Sequence, residues 1–224
     1  MNKLTIIVTY YNAEEYITGC LESIKQQRTQ DFNLIIVNDG STDQSKKLMD
    51  EAIKDYDKNI RFIDLDENSG HAHARNIALE EVETPYFMFL DADDELASYA
   101  ITFYLEKFND TDGLIAPIHS FTTQRPQFVD LDRVRVEYFN AKGNINSFLR
   151  KQSACNIIFR TAIVKAHHIR FNENLNTYVD WSFVLEYMKY VNKFVRIFNF
   201  PFYFRGEVYD PFETLTLSEQ NFDI

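Results

Sequence analysis

The sequence predicts an α/β fold, three layers deep (α/β/α), on a mostly parallel central sheet. Two observations predict it. Short apolar runs alternate with segments whose apolar residues recur at helical spacing over roughly the first hundred of the 224 residues, the pattern of strand–helix repeats with right-handed crossovers. The runs are also apolar without alternation, as strands buried on both faces are.

The elements follow in order. "LTIIV" (4–8), "NLIIV" (33–37), "IRFIDL" (60–65) and "YFMFL" (86–90) read as four buried strands. Between them, Tyr16, Ile17, Cys20, Leu21 and Ile24 form one helical stripe, and Leu48, Met49, Ala52, Ile53 and Tyr56 a second. A third begins at Ala74, Ile77 and Ala78 and ends near Val82, and "STDQS" holds a cap for the second helix. Beyond residue 110 the rhythm changes. "GLIAPI" (113–118) reads as a strand and "RVRVEYF" (133–139) as an edge strand. A short helix is expected over 144–150, "ACNIIFR" (154–160) is strand or loop, and a helix runs from Thr161 to about His167. A longer helix carries Phe183, Val184, Tyr187, Met188 and Val191, and "KFVRIFNFPFYFR" (193–205) reads as a terminal strand. Neither repeats nor a Gly/Ser linker divide the chain. One domain, 1–224, is expected, in two halves (1–98 and 99–224) of which the second completes the sheet and roofs a cleft, as the N-terminal part of a longer protein.

Composition bounds the function. A net charge of −11 argues against nucleic acid and anionic membrane surfaces as partners. No apolar stretch approaches the roughly 20 residues that span a bilayer, and the N-terminal run is too short for a signal peptide. Cys20 and Cys155 have neither disulfide nor metal-ligand spacing and read as buried small hydrophobes in a reducing compartment. The expected location is cytoplasmic, with any peripheral membrane attachment supplied by other domains or partners.

In open parallel sheets, ligands bind beyond the carboxyl ends of the strands. Polar and acidic residues follow all four strands here: Thr9-Tyr10-Tyr11-Asn12, Asn38-Asp39-Gly40-Ser41-Thr42-Asp43, Asp66-Glu67-Asn68-Ser69-Gly70 and Asp91-Ala92-Asp93-Asp94. Loop polarity and helix capping account for part of this, but not for three acids in four positions after Leu90. Two carboxylates one residue apart, Asp91 and Asp93, can grip a hard divalent cation, Mn²⁺ or Mg²⁺, whose remaining ligands a pyrophosphate supplies.

With these motifs in place (the Tyr-Asn after strand one, "NDGSTD", "NSG" with "ARN", and "DADD"), the sequence resembles the inverting nucleotide-sugar glycosyltransferases of the GT-A fold, the family-two class. The resemblance is close over about the first hundred residues and looser beyond. Within the class it is similar to bacterial cell-surface polymer enzymes, including those that decorate wall teichoic acid. It implies that Thr9 and Tyr11 flank a uracil ring, Asp39 bonds the uridine, Asn68 reaches the base edge and Gly70 lets the nucleotide approach. It implies further that Arg75 sits beside the diphosphate and fixes the metal-binding loop, that Asp91 and Ala92 line the ribose, and that Asp93 binds the metal. Arg205 resembles basic residues that neutralise the departing diphosphate. Family members usually carry Pro where this chain has Thr9. They often carry Glu-Asp where it has Val179 and Asp180, leaving Asp180 as the expected base; the competing reading makes Asp180 the helix N-cap. Trp181 is a candidate for stacking on a sugar, His71 and His73 for touching phosphate, and His119 for meeting the acceptor. The implied reaction moves a sugar from a UDP-sugar to a sugar, lipid-linked or polyol-phosphate acceptor.

The alternatives differ in chemistry. A nucleotidyltransferase would carry a Gly-rich, basic loop after strand one, where "TYYNAEEY" has neither. A dehydrogenase would carry G-x-G-x-x-G there. A catalytically degenerate GT-A domain, a binding or assembly module within a larger cell-wall polymer enzyme, fits the loss of the Glu at Val179.

Overall fold

The computed structural model describes residues 2–56, 60–107, 110–120, 133–140, 153–198 and 202–206. Eight strands form the main sheet in the order β3-β2-β1-β4-β9-β6-β10-β8. They are β1 (Leu4–Tyr10), β2 (Phe32–Asn38), β3 (Ile60–Asp64), β4 (Tyr86–Asp91), β6 (Gly113–Ile115), β8 (Val136–Asn140), β9 (Ile157–Arg160) and β10 (Lys193–Ile197). β3, β2, β1 and β4 are parallel, as expected, and β10 is parallel to β6. β9 runs antiparallel between β4 and β6, and β8 closes the far edge antiparallel to β10. A smaller sheet takes β5 (Glu95–Leu96), β11 (Tyr203–Arg205) and β7 (Ile118–Ser120) in the order β5-β11-β7.

The helices are α1 (Ile17–Lys25), α2 (Ser45–Ile53), α3 (His71–Glu80), α4 (Ala100–Lys107), α5 (Thr161–Ala166) and α6 (Val179–Met188). β1 is buried at every residue and β4 at all but Asp91, as continuous apolar runs require. β3 differs from the expectation of a strand buried on both faces. It is an edge strand, only partly buried, and its charged Arg61 and Asp64 are exposed. The run 113–118 divides between β6 and β7, in different sheets, and the run 193–205 divides between β10 and β11. The helix expected over 144–150 lies outside the described residues.

An aromatic cluster joins the antiparallel β9 to the parallel half. Phe87 of β4 stacks on Phe159 of β9 at 5.3 Å, Phe159 meets Phe183 and Tyr187 of α6 edge-on, and Phe171 stacks on Phe183 at 4.2 Å. Truncating a fully buried ring such as Phe159 to Ala costs about 3–5 kcal/mol. No helix among the described residues is long and apolar enough to cross a membrane.

The register aligns the strand ends. Thr9 of β1 lies opposite both Val37 of β2 and Asp91 of β4, so the loops after these strands open on one rim of the sheet.

Candidate active site

The turn after β4 closes when the Asp94 N–H donates to the Asp91 carbonyl at 3.0 Å. That fold of the chain brings ligand oxygens of Asp91, Asp93 and Asp94 within 4.8 Å of one another, which would be repulsive if all three were bare anions. The surroundings treat them differently. Asp91 accepts from Arg75 Nη2 at 2.7 Å and from the Cys155 thiol at 3.1 Å. Burial works against its charge, but Arg75 outweighs it and holds the carboxyl down to about 2. Asp94 is 1% exposed; it accepts from the Tyr203 hydroxyl at 2.5 Å and the Gly206 N–H at 2.8 Å. Burial, then the charges of Asp91 and Asp93, push it up to about 7. Asp93 is half-buried. A Cβ on Gly206 would fall on the Asp93 carbonyl oxygen, so the end of β11 lies directly against the acidic turn. Three hard oxygen donors on one tight turn suit a divalent cation of the Mg²⁺ or Mn²⁺ type.

Arg75 organises the other side. Gly70, at φ 93°, leads into α3, and Arg75 sits one turn in. It is 1% exposed, with its guanidinium 5.0 Å from the centre of Phe89 and 5.2 Å from that of Phe171. Nη1 donates to Asp180 Oδ1 at 2.5 Å, and Nη2 reaches both Asp91 and the Cys155 sulfur, the latter at 3.1 Å. Burial disfavours the cation, yet the two carboxylates more than offset it and push its pKa up. Cys155, fully buried, is raised by burial and by Asp91, so its thiol keeps a hydrogen to donate.

Asp180 is the second residue of α6. The N-cap is Tyr178, in the left-handed region at φ 59° with no side-chain capping bond, so Asp180 is not the cap of the competing reading. Its carboxylate accepts from Arg75 on Oδ1 and from the Ser153 hydroxyl (2.8 Å) and the Ala154 N–H (2.9 Å) on Oδ2. Burial raises its pKa, but Arg75 and the Ala154 N–H prevail and hold it below the usual carboxylate range. The side chain is 24% exposed.

The remaining expected residues lie along the same rim. Thr9 and Ala92 are buried, Tyr11 and Asn68 are exposed, and Arg205 is half-buried at the end of β11. Asp39 is 3% exposed; its two oxygens accept the Ser69 N–H at 2.8 Å and the Gly70 N–H at 3.0 Å, tying the loop after β2 to the loop before α3. A Cβ on Gly40, at φ 66°, would strike the backbone of Glu67 and Asn68, so these two loops pack backbone to backbone. The loops after β1 and β2 are laced as well, by Thr42 N–H to Asn12 Oδ1 at 2.9 Å and Gln44 N–H to Glu14 Oε2 at 2.8 Å. The N-cap of α2 is Gln44, without a side-chain bond; Asp43, one residue earlier, receives the Ser45 N–H.

His71 and His73 open α3 rather than lying in a loop, and His73 pairs with Glu173 at 3.1 Å. His119 lies within β7, 6.5 Å from the Phe204 ring, and Trp181 is half-buried on α6. Ser153 and Tyr203 join the site with no signal in the sequence, and Cys155, buried and free as expected, turns out to face charged groups. The one signal for Asp94 was its place in the acidic run.

The model of the family described as "Glycosyl transferase family 2" matches residues 5–168. A teichoic acid poly(glycerol phosphate) polymerase of Staphylococcus epidermidis is 99% identical over 224 residues, all of this chain and 31% of the relative. The poly(ribitol-phosphate) beta-N-acetylglucosaminyltransferase TarS of Staphylococcus aureus is 28% identical over 204 residues, 83% of this chain and 32% of TarS. The chain thus spans about a third of each of these relatives. The crystal structure of S. aureus TarS 1–349 superposes with a TM-score of 0.74 at 25% identity, covering 91% of this chain and 60% of that one.

Proposed function

The chain belongs to glycosyl transferase family 2, and from that premise we propose that it transfers a sugar from a UDP-sugar to an acceptor hydroxyl by an inverting single displacement. The observation that carries the reading is that one buried cation, Arg75, holds an acidic turn on one side and a lone carboxylate on the other. Inversion needs both: a site for the departing diphosphate, and a base on the opposite face of the sugar.

Asp93 and Asp91 are the residues that would hold Mn²⁺ or Mg²⁺. Such an ion, when bound, offsets charge that builds on the leaving diphosphate. Arg205, beside Asp94, adds positive charge at the same end. Thr9 and Tyr11 flank the uracil, Asp39 and Asn68 bond the nucleoside, Gly70 leaves room for it, and Ala92 with Asp91 lines the ribose. Arg75 is too deeply buried to be a mobile phosphate ligand, and its part is to fix Asp91 beside the diphosphate.

Asp180 takes the acceptor proton. A carboxylate offers about four acceptor positions, and Arg75, Ser153 and Ala154 fill three. One remains for the incoming hydroxyl. Because Arg75 keeps Asp180 ionised, it is a weak base at rest. It acts as the hydroxyl becomes acidic on attacking the anomeric carbon.

We assign residues 1–98 chiefly to the donor and 99–224 chiefly to the acceptor, with Arg205 the residue of the second half that serves the diphosphate, within a longer protein. The name of the 28%-identical relative, a sugar transferase to poly(ribitol phosphate), supports a sugar or polyol-phosphate acceptor of a bacterial cell-surface polymer, lipid-linked or free. Two buried free cysteines fit a cytoplasmic setting.

The test is UDP release from a panel of UDP-sugars, with Mn²⁺ or with chelator, followed by NMR of the product anomer. Metal-dependent release with inversion supports the proposal. Release indifferent to chelation, or retention at the anomeric carbon, overturns it.

A further inference from the structure

Three consecutive residues, Ser153, Ala154 and Cys155, touch both functional carboxylates. Ser153 Oγ and the Ala154 N–H hold Asp180 Oδ2, and the Cys155 thiol holds Asp91 Oδ2 at 3.1 Å. The Ser153 hydroxyl donates to the Asp180 carboxylate, which when ionised can only accept, while its own oxygen accepts the Cys155 N–H at 3.2 Å. The turn is tied to the sheet. All four residues of 153–156 are buried, and Asn156 exchanges bonds with Ala116, through its side chain at 2.8 Å and its carbonyl at 3.0 Å. β9, which follows at once, is paired on both edges.

We propose that this turn is a positioning element for the reaction above, with its two ends serving different steps: Cys155 sets Asp91 for the metal and nucleotide, and Ser153 sets Asp180 for the acceptor. The proposal rests on the glycosyltransferase reading and adds a division of labour to it. A cysteine that merely filled the core would have apolar neighbours. This one has its sulfur 3.1 Å from a guanidinium nitrogen of Arg75 and 3.1 Å from Asp91 Oδ2, and so holds the carboxylate oxygen that the direct Arg75–Asp91 bond leaves free. Groups that orient metal-binding carboxylates typically affect metal affinity about 10–100-fold when lost. A bond to a charged group not used in donor binding should leave that affinity alone.

The experiment compares wild type, C155A, C155S and S153A by calorimetry of UDP in Mn²⁺, by turnover, and by thermal melting. C155A is expected to weaken UDP binding in Mn²⁺ about tenfold, and C155S, which restores a donor, to recover it to within about threefold of wild type. S153A is expected to keep UDP binding within about twofold while lowering kcat about tenfold. If C155A does not fold, Cys155→Val, which fills the space without donating, replaces it. With wild type active and all variants folded, equal effects of C155A and S153A on both readouts, or none, overturn the division of labour. A wild-type chain that binds no UDP in Mn²⁺ sinks the glycosyltransferase reading itself.

Discussion

Arg75 and Asp180 stand 105 residues apart in the chain and 2.5 Å apart in the fold. The ion pair joins α3 of the parallel half to α6 of the later half, and the same guanidinium continues to Asp91. Removing one partner of a buried pair leaves the other uncompensated, which costs more than the pair itself contributes.

Arg75→Ala should therefore destabilise the fold by about 3–5 kcal/mol, because two acids are left facing each other across a cavity. Urea denaturation measures this. A loss below about 1 kcal/mol would mean that the pair is solvated and does not organise the rim.

Asp180→Asn should lower turnover on the order of 10²–10⁴-fold while UDP binding in Mn²⁺ persists. It should also alter acid stability. The folded carboxyl lies below its unfolded value of about 4. Its contribution is therefore present above that pH and lost as pH falls through the folded value. Between about pH 6 and 2 the variant's urea midpoint should fall less steeply than that of wild type. Parallel curves would contradict the Arg75 assignment.

Asp94 works in the opposite sense. Raised to about 7 by burial and by its neighbours, it favours the folded state when protonated. That stability is present below about pH 4 and lost as pH rises through 7. Asp94→Asn mimics the neutral acid and still meets both partners, since the Tyr203 hydroxyl can accept as well as donate. In chelator it should melt higher than wild type at pH 8 and at about the same temperature at pH 4. A variant less stable at both pH values would show that the charged form is the one the fold prefers.

The parallel strands were legible because their short apolar runs recur between helical stripes, and the acidic turn because so much charge follows Leu90. The edge position of β3 was not, since "IRFIDL" is apolar enough to pass for a central strand until its neighbours are known. α4 was missed because it is only eight residues long and its less buried side, with Thr102 and Leu105, is itself partly apolar, so the contrast between its faces is weak. The small sheet is made of strands of two and three residues, whose pairing is set by distant partners and not by local pattern. Cys155 read as a core residue for the same reason: its carboxylate partner lies 64 positions away.

Asp93 and its neighbours are expected to receive a cation together with a nucleotide's phosphates. Calorimetric titration of UDP into wild type and Asp93→Asn, each in Mn²⁺ and in chelator, tests this most directly. Binding is expected only for wild type in Mn²⁺, and in chelator the variant should melt no lower than wild type, because losing the Asp93 charge relieves repulsion with Asp91 and Asp94. Equal binding by both proteins, or binding that survives the chelator, would contradict it.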